Sequence, residues 1–292
     1  MMAAIYSRVM EEEQEKDVQL FFDELAKQNI EPVIFQHFYD QIRHKINLPP
    51  DSKTFSLSEH LHEDIEFIIT LGGDGTLLDT ITLVREKNIS IMGVNFGRLG
   101  FLASIGRTEM KNALKAIAKR SYILDRRTMI HLDADLPLFG NVPYGLNEFS
   151  VHKRDTDPMI KIHTYLNGEF LNTYWADGLI VATPTGSTGY SLSCGGPIVF
   201  PESGSFVITP VAPHNLNVRS LIVPDDNIIS FEVESRSDNI ICALDSRREL
   251  VGKNVQLAVR KESFPANLIR LSENNFLQTL HNKLTWGLDK RN

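Results

Sequence analysis

The chain has 292 residues, a length that fits two domains at roughly 100–200 residues each. Hydrophobic residues make up 42% and charged residues 23%, which excludes wholesale disorder. Thirty Lys and Arg against 37 Asp and Glu give a formal charge of −7. That argues against a general nucleic-acid binder but leaves room for a nucleotide in one locally positive pocket.

Two cysteines, Cys194 and Cys242, exclude a disulfide framework and a Cys-rich zinc site. The start reaches Glu11, Glu12 and Glu13 before any long apolar run, so no signal-peptide pattern is present. No apolar stretch approaches the roughly 20 residues of a membrane span. These features predict a soluble cytoplasmic protein with no nucleic-acid and no membrane partner.

In chain order, Ala3 to Tyr6 is a short apolar run. Val18, Phe21, Phe22 and Leu25 fall at helical spacing in a charged background and predict an amphipathic helix. Residues 47–58, with Pro49, Pro50 and several Ser and Asp, read as a flexible loop. The β-branched run Phe67 to Leu71 predicts a strand that ends at Gly72 and Gly73. Leu77, Ile81 and Val84 predict a second helix, residues 89–94 a strand, and Met110, Leu114 and Ile117 a third helix. This order predicts an α/β domain, a parallel sheet with helices, over residues 1–125.

Beyond residue 126 the period changes to two. Ile160, Ile162 and Thr164 alternate with polar residues, as do Ile229, Phe231 and Val233, and Val255, Leu257 and Val259. Residues 126–273 therefore read as a β-rich sandwich domain. The tail, residues 274–292, is weakly helical and is expected to complete the first domain.

Four motifs carry chemistry. The first is Gly72-Gly73-Asp74-Gly75-Thr76, after a strand and opening a helix. Glycines let backbone N–H groups approach phosphate oxygens, and a helix start favours negative charge. Asp74 is out of place there unless it holds a metal ion or accepts a proton, both of which are phosphoryl-transfer roles. Read alone, the segment is equally a Gly-rich turn with Asp74 as a helix N-cap. There is neither a Walker A pattern nor a Gly-x-Gly-x-x-Gly fingerprint after a strand.

The second motif runs from Asn95 to Leu102 and follows the next strand. Gly97 and Gly100 permit a tight turn, Arg98 is a cation suited to phosphate, and Phe101 offers an apolar wall. The alternative is a turn whose aromatics are core. The third is Asn147-Glu148, an amide beside a carboxylate that suits adenine edges or ribose hydroxyls, or else a turn amide with a solvated acid. The fourth runs from Asp177 to Ser193, then Gly195-Gly196-Pro197. Thr185, Ser187, Thr188 and Ser193 offer uncharged donors, Tyr190 a stacking face and Asp177 an acceptor. Such a set suits a base and a sugar. The Gly-x-Ser-x-Gly elbow of a serine hydrolase is missing. Two smaller pieces follow: residues 209–216, Pro-rich and carrying His214, and a strand ending in Asp245-Ser246-Arg247.

With these residues in hand the sequence resembles the NAD kinase family of the bacterial type. Gly72-Gly73-Asp74-Gly75-Thr76 is similar to its nucleotide-kinase signature, Asn147-Glu148 to its Asn-Glu motif, and Asp177 to Ser193 to its glycine-rich region. Asp245-Ser246 resembles a further Asp-containing turn, with Arg247 where Gln is common. Gly189 stands where the family often has Ala, a change expected to leave the site unaltered.

The resemblance implies a phosphofructokinase-like α/β domain with a β-rich C-terminal domain. It implies transfer of the ATP γ-phosphoryl group to the 2′-hydroxyl of the adenosine ribose of NAD, with Mg²⁺ or another divalent metal, for NADP biosynthesis. A homodimer or homotetramer is implied too, with NAD near the domain and subunit interfaces. Carried over, Asp74 is the general base or metal-linked carboxylate. Gly75, Phe101, Asn147, Glu148, Asp177, Thr185, Thr188, Gly189, Tyr190, Ser193 and Asp245 would hold NAD. Ala212 and His214 would reach a neighbouring subunit's NAD. Gly72, Gly73, Thr76 and Arg98 would hold the ATP phosphates. The metal ligands are not read from the sequence. Loop or interdomain closure on binding is expected. Two other readings fit parts of the pattern: a lipid or diacylglycerol kinase sharing the Gly-Gly-Asp-Gly-Thr loop, and a non-catalytic NAD-binding sensor.

Overall fold

Short buried strands alternate with helices from the start of the chain. They are β1 (Met2–Tyr6), α1 (Glu15–Lys27), β2 (Glu31–Phe35), α2 (Gln36–Ile42), β3 (Lys53–Phe55) and β4 (Ile65–Leu71). There follow α3 (Asp74–Val84), β5 (Ser90–Asn95), β6 (Ile105–Gly106), α4 (Met110–Ala118) and β7 (Ile123–Arg127). The computed structural model describes residues 1–271 and 275–284. The chain divides into two units, residues 1–126 with the segment returning from Asn267, and residues 127–266.

In the first unit α1 buries Val18, Phe21, Phe22 and Leu25 as its spacing predicts. Glu15 and Asp17 in its first turn and Lys27 in its last complement the helix dipole. Strand β4 is buried on both faces at Phe67, Ile68 and Ile69, as a central parallel strand must be. Residues 47–58 are not all loop. Lys53, Thr54 and Phe55 pair with Val33, Ile34 and Phe35 as a parallel edge strand, and the Phe55 ring packs 5.5 Å from that of Phe35. One buried aromatic is enough to draw a polar stretch onto the sheet edge.

The second unit contains β8 (Ile130–Ala134), β9 (Tyr144–Gly145), β10 (Glu148–His152), β11 (Ile160–Leu166), β12 (Glu169–Ala176) and β13 (Gly178–Ala182). After the short helix α5 (Tyr190–Ser193) come β14 (Ser205–Val211), β15 (Leu221–Pro224), β16 (Ile229–Glu234), β17 (Asn239–Leu244), β18 (Arg247–Gly252) and β19 (Leu257–Lys261). They form two sheets, ordered β15-β14-β13-β10-β17-β18 and β12-β11-β16-β19-β8-β9. Phe149 and Val151 of β10, with Leu179 and Val181 of β13, share a core with Ile160 and Ile162 of β11 and Phe231 of β16. The α/β and β-sandwich expectation is therefore met. Period two fixes the site: with Phe149 and Val151 inside, Glu148, Ser150 and His152 lie on the opposite face of β10.

The chain then returns as β20 (Ala266–Arg270), whose Leu268 pairs with Ile91 of β5. The first sheet reads β3-β2-β1-β4-β5-β20-β7. The β-rich span thus ends before residue 273, because the apolar run at 266–269 is buried in the parallel sheet. The expected helical tail is seen as α6 (Phe276–Leu284), with Leu280 buried. Residues 274 and 285–292 of that tail lie outside the described residues.

Candidate active site

In the first unit, Gly72 to Thr76 links β4 to α3, at the carboxyl end of the parallel sheet where ligands of open α/β sheets bind. Gly72 has φ of +153°, and a methyl group there would lie 2.4 Å from the Thr76 hydroxyl oxygen. Gly73, not Asp74, is the N-cap, and Asp74 is the first residue of α3. Its carboxylate reaches across to the loop after β5. There Oδ2 accepts the N–H of Phe101 at 2.8 Å, and Oδ1 accepts those of Leu102 at 3.0 Å and Ala103 at 2.9 Å. A methyl at Gly100 would lie 1.7 Å from Asp74 Oδ1, so glycine at 100 is what lets the loop wrap the acid. A carboxylate has about four acceptor directions, and Oδ2 keeps one of its two.

Phe101 therefore meets Asp74 through its backbone. Arg98 is exposed, and its carbonyl accepts the Asn95 side-chain amide at 2.7 Å. Asn95 Oδ1 in turn accepts the N–H of Gly97 at 2.9 Å, so one amide holds the turn at both ends. A cavity of about 300 Å³ opens beside the glycine loop, lined among others by Ser7, Arg8, Gly72, Gly73, Thr76 and Asn95. Arg98 is not part of that lining, whereas Arg8 is. Sequence reasoning missed Arg8. Its signal was its place, just beyond the end of β1.

In the second unit the same device recurs. Asp245 accepts the N–H groups of Leu146 (2.8 Å), Asn147 (2.8 Å) and Glu148 (3.1 Å). Gly145, just before them, again admits the acid, since a methyl there would lie 2.7 Å from Asp245 Oδ1. Asp245 itself sits at φ of +53°. Burial pushes its carboxyl above the usual range, against the three N–H groups that favour the charged form. Arg247, in the position that often carries Gln, donates to the carbonyls of Val142 and Tyr144. Its role here is to hold the strand leading into Asn147.

The loop of residues 183–189 lies against this turn. Thr183, another residue not singled out in the sequence, donates its hydroxyl to the Leu146 carbonyl at 2.6 Å and its N–H to the Asn147 carbonyl at 2.8 Å. A methyl at Gly186 would lie 2.0 Å from the Asn147 carbonyl oxygen. At Gly189 it would meet Glu148 Oε2 at 3.1 Å and the Gly186 carbonyl at 3.2 Å. A methyl at Gly189 would therefore need only small shifts of the Glu148 side chain. The Glu148 Oε2 atom is buried without a hydrogen-bond partner among the described residues. Burial, and then the nearby Asp245 carboxylate, push this carboxyl up to about 8. At neutral pH Glu148 therefore carries a proton and can donate a hydrogen bond.

The structure brings Asn147, Glu148, Gly189 and Asp245 into one cluster. The hydroxyls are less free than their composition implies. Thr188 donates to the Thr185 carbonyl, Ser187 donates to the Pro184 carbonyl, and Thr185 accepts from Arg127. These contacts hold the loop in shape. Tyr190 is exposed, its ring 5.8 Å from that of His152, and Ser193 is exposed at the end of α5. Asp177 pairs with Lys153 at 3.0 Å. Ala212 has φ of +45°, and His214 stacks on Trp175 at 4.7 Å, apart from the Asn147 cluster.

A larger cavity, about 690 Å³, lies along the other sheet of the sandwich, lined in part by Asp133, Asp135, Glu232 and Lys253. Its acids outnumber its cations, which suits no phosphate, and its lining contains none of the candidate site residues read from the sequence. Among the described residues no group of three or more His, Cys, Asp or Glu is placed to hold a metal ion. No helix among them is long and apolar enough to cross a membrane.

Comparison with known proteins agrees with this geometry. Residues 6–122 match the ATP-NAD kinase N-terminal domain, and residues 146–271 match the ATP-NAD kinase C-terminal domain. The NAD kinase of Cytophaga hutchinsonii is 47% identical over 293 residues, covering all of both chains. That of Flavobacterium psychrophilum is 42% identical over 294 residues, again covering all of both. Among solved structures, yeast NADH kinase complexed with NADH superposes with a TM-score of 0.87 at 22% identity, covering 99% of this chain and 89% of the other. An NAD kinase from Archaeoglobus fulgidus in complex with ATP gives 0.76 at 24%, covering 98% and 99%. With both of its domains matched and full-length relatives well above the threshold of chance similarity, the chain belongs to the ATP-NAD kinase family.

Proposed function

We propose that this protein is an ATP-dependent NAD kinase. It transfers the γ-phosphoryl group of ATP to the 2′-hydroxyl of the adenosine ribose of NAD, giving NADP and ADP. The observation that carries the reading is the Asp74 carboxylate, fixed by three backbone N–H groups at the mouth of a glycine loop and keeping one acceptor direction open. A ribose hydroxyl is a poor nucleophile at neutral pH. As the bond from its oxygen to the γ-phosphorus forms, Asp74 takes the hydroxyl proton. The bond from that phosphorus to the β–γ bridging oxygen breaks, and ADP leaves with the electron pair. Such general-base help contributes on the order of 10²–10⁴-fold, and the rest comes from positioning and charge neutralisation.

Asn147 and the protonated Glu148 offer an amide and a hydroxyl donor to the ribose or base of NAD, and Tyr190 offers an exposed ring for stacking. Asp177, Thr185, Thr188, Gly189, Ser193 and Asp245 complete or support that site. A divalent cation such as Mg²⁺ suits the reaction as the counter-ion of the ATP phosphates. Among the described residues there is no ready-made cage for one, and Mg²⁺ commonly binds through substrate phosphates with few protein ligands. Cells hold NAD and ATP together in the cytoplasm, which is the compartment this reading implies. It also carries a homodimer or homotetramer, which light scattering of the purified protein tests.

The deciding assay incubates the protein with NAD, ATP and Mg²⁺ and couples the product to an NADP-specific dehydrogenase. The wild type is expected to form NADP. Asp74→Asn is expected to lose activity by about 10²-fold or more while still binding NAD. Near-wild-type turnover in that variant refutes the role of Asp74. Phosphorylation of diacylglycerol but not of NAD would assign the protein to lipid kinases instead.

A further inference from the structure

Arg8 lies just beyond the end of β1, outside every motif discussed above, and its side chain is about half exposed at 48%. Its guanidinium is not loose. Nε and Nη2 grip the two oxygens of Asp79 on α3 as a bidentate pair, and Tyr6 donates its hydroxyl to Asp79 Oδ2 at 2.9 Å. The clamp takes one edge of the guanidinium. The other edge, Nη1, has no hydrogen-bond partner among the described residues. It points over the glycine loop, where the Cβ position of Gly75 lies 3.4 Å from Nη1. The absence of a side chain at 75 leaves the space in front of Nη1 open.

Arg8 is one of the residues, with Ser7, Gly72, Gly73, Thr76 and Asn95, that line the cavity of about 300 Å³. Glu11, exposed at its rim, is the carboxylate in the lining. The Thr76 N–H in the first turn of α3 is bonded to the Gly73 carbonyl at 3.0 Å, and the N–H groups of Asp74 and Gly75 before it have no acceptor in a preceding helical turn. A guanidinium fixed by a carboxylate on one side offers two N–H donors on the other at little entropic cost, a geometry matched to phosphate oxygens.

We infer that Arg8, positioned by Asp79, is the cation that binds the phosphate chain of the nucleotide donor, in the role the sequence pattern assigns to Arg98. The inference rests on the phosphoryl-transfer reading above. It adds a donor-binding residue and a positioning residue to it. Asp79 acts only through Arg8: it aims the guanidinium.

The test uses the full-length protein and two readouts, binding of ATP measured by calorimetry without NAD, and steady-state KM for ATP and for NAD. Arg8→Ala is expected to weaken ATP at least about tenfold and leave NAD binding within about twofold. Arg8→Lys is expected to recover part of the loss, since a point charge reaches phosphate but cannot be clamped by two bonds. Asp79→Asn is expected to weaken ATP by an intermediate factor with the same silence toward NAD. Lys53→Ala, which removes an exposed ion pair to Glu31, serves as the control for loss of a surface pair and is expected to leave both substrates unchanged.

ATP affinity within about twofold of wild type in a folded Arg8→Ala protein overturns the inference, as does equal weakening of ATP and NAD. If Arg8→Ala does not fold, Arg8→Lys and Asp79→Asn decide the matter by the same split. Arg8-dependent ATP binding in a protein that makes no NADP would uphold the inference and sink the NAD kinase reading. NADP formation indifferent to Arg8 would do the reverse.

Discussion

Asp245 and Glu148 are joined in both directions: Asp245 Oδ1 accepts the N–H of Glu148 at 3.1 Å, and Asp245 donates its own N–H to the Glu148 carbonyl at 2.9 Å. The side chain of Glu148 stays out of this exchange and lies buried beside the same carboxylate. An acid used as a backbone clamp thus adds to the burial that raises the carboxyl of a second acid.

Removing the clamp has a definite cost. Asp245→Asn replaces an oxygen by an amide that cannot accept, so at least one N–H among residues 146–148 loses its partner. An unsatisfied buried donor costs about 1–3 kcal/mol. Urea unfolding is expected to show a loss of that size, with a raised KM for NAD and little change in KM for ATP.

The raised carboxyl of Glu148 makes stability depend on pH. In the unfolded chain it titrates near 4.5, in the folded one near 8. Between those values the native state holds the extra proton, so this group's contribution falls as pH rises, by at most about 1.4 kcal/mol per pH unit. Below pH 4.5 its contribution is fully present. Above pH 8 it is lost. Glu148→Gln removes the titration, and its denaturation midpoint minus that of wild type is expected to grow from pH 5 to pH 9. A constant difference across that range would show that Glu148 is not protonated in the folded protein.

The two glycines of the 183–189 loop are expected to differ. Gly186→Ala puts a methyl 2.0 Å from the Asn147 carbonyl oxygen and 2.8 Å from its Cα, and backbone cannot retreat cheaply. A loss of about 2–3 kcal/mol and weaker NAD binding are expected. Gly189→Ala meets the end of the Glu148 side chain and a carbonyl at 3.1–3.2 Å, which small shifts relieve. Its thermal stability is expected to stay within about 0.5 kcal/mol of wild type.

Tyr190 tests the stacking role. Tyr190→Ala is expected to raise KM for NAD about tenfold, and Tyr190→Phe to leave it nearly unchanged, because the ring face and not the hydroxyl makes the contact. Equal losses in both variants would assign the role to the hydroxyl.

Local pattern made much of this protein legible. The helical spacing of Val18, Phe21, Phe22 and Leu25, and the alternation through Ile160 and Ile162, follow from burying one face of a helix or strand, and each reports its own geometry. The order of glycines and acids around Asp74, Asn147 and Asp177 was likewise visible, because such turns need particular residues at adjacent positions. What the chain order could not reveal is which distant groups meet. That the Asp74 carboxylate faces the N–H groups of 101–103, that Asp245 does the same for 146–148, and that β20 returns to β5 are decided by packing between segments far apart in sequence. The same holds for Arg8. Its value lies in the clamp to Asp79, 71 residues away, and a single charged residue after a strand carries no local signature of that pairing.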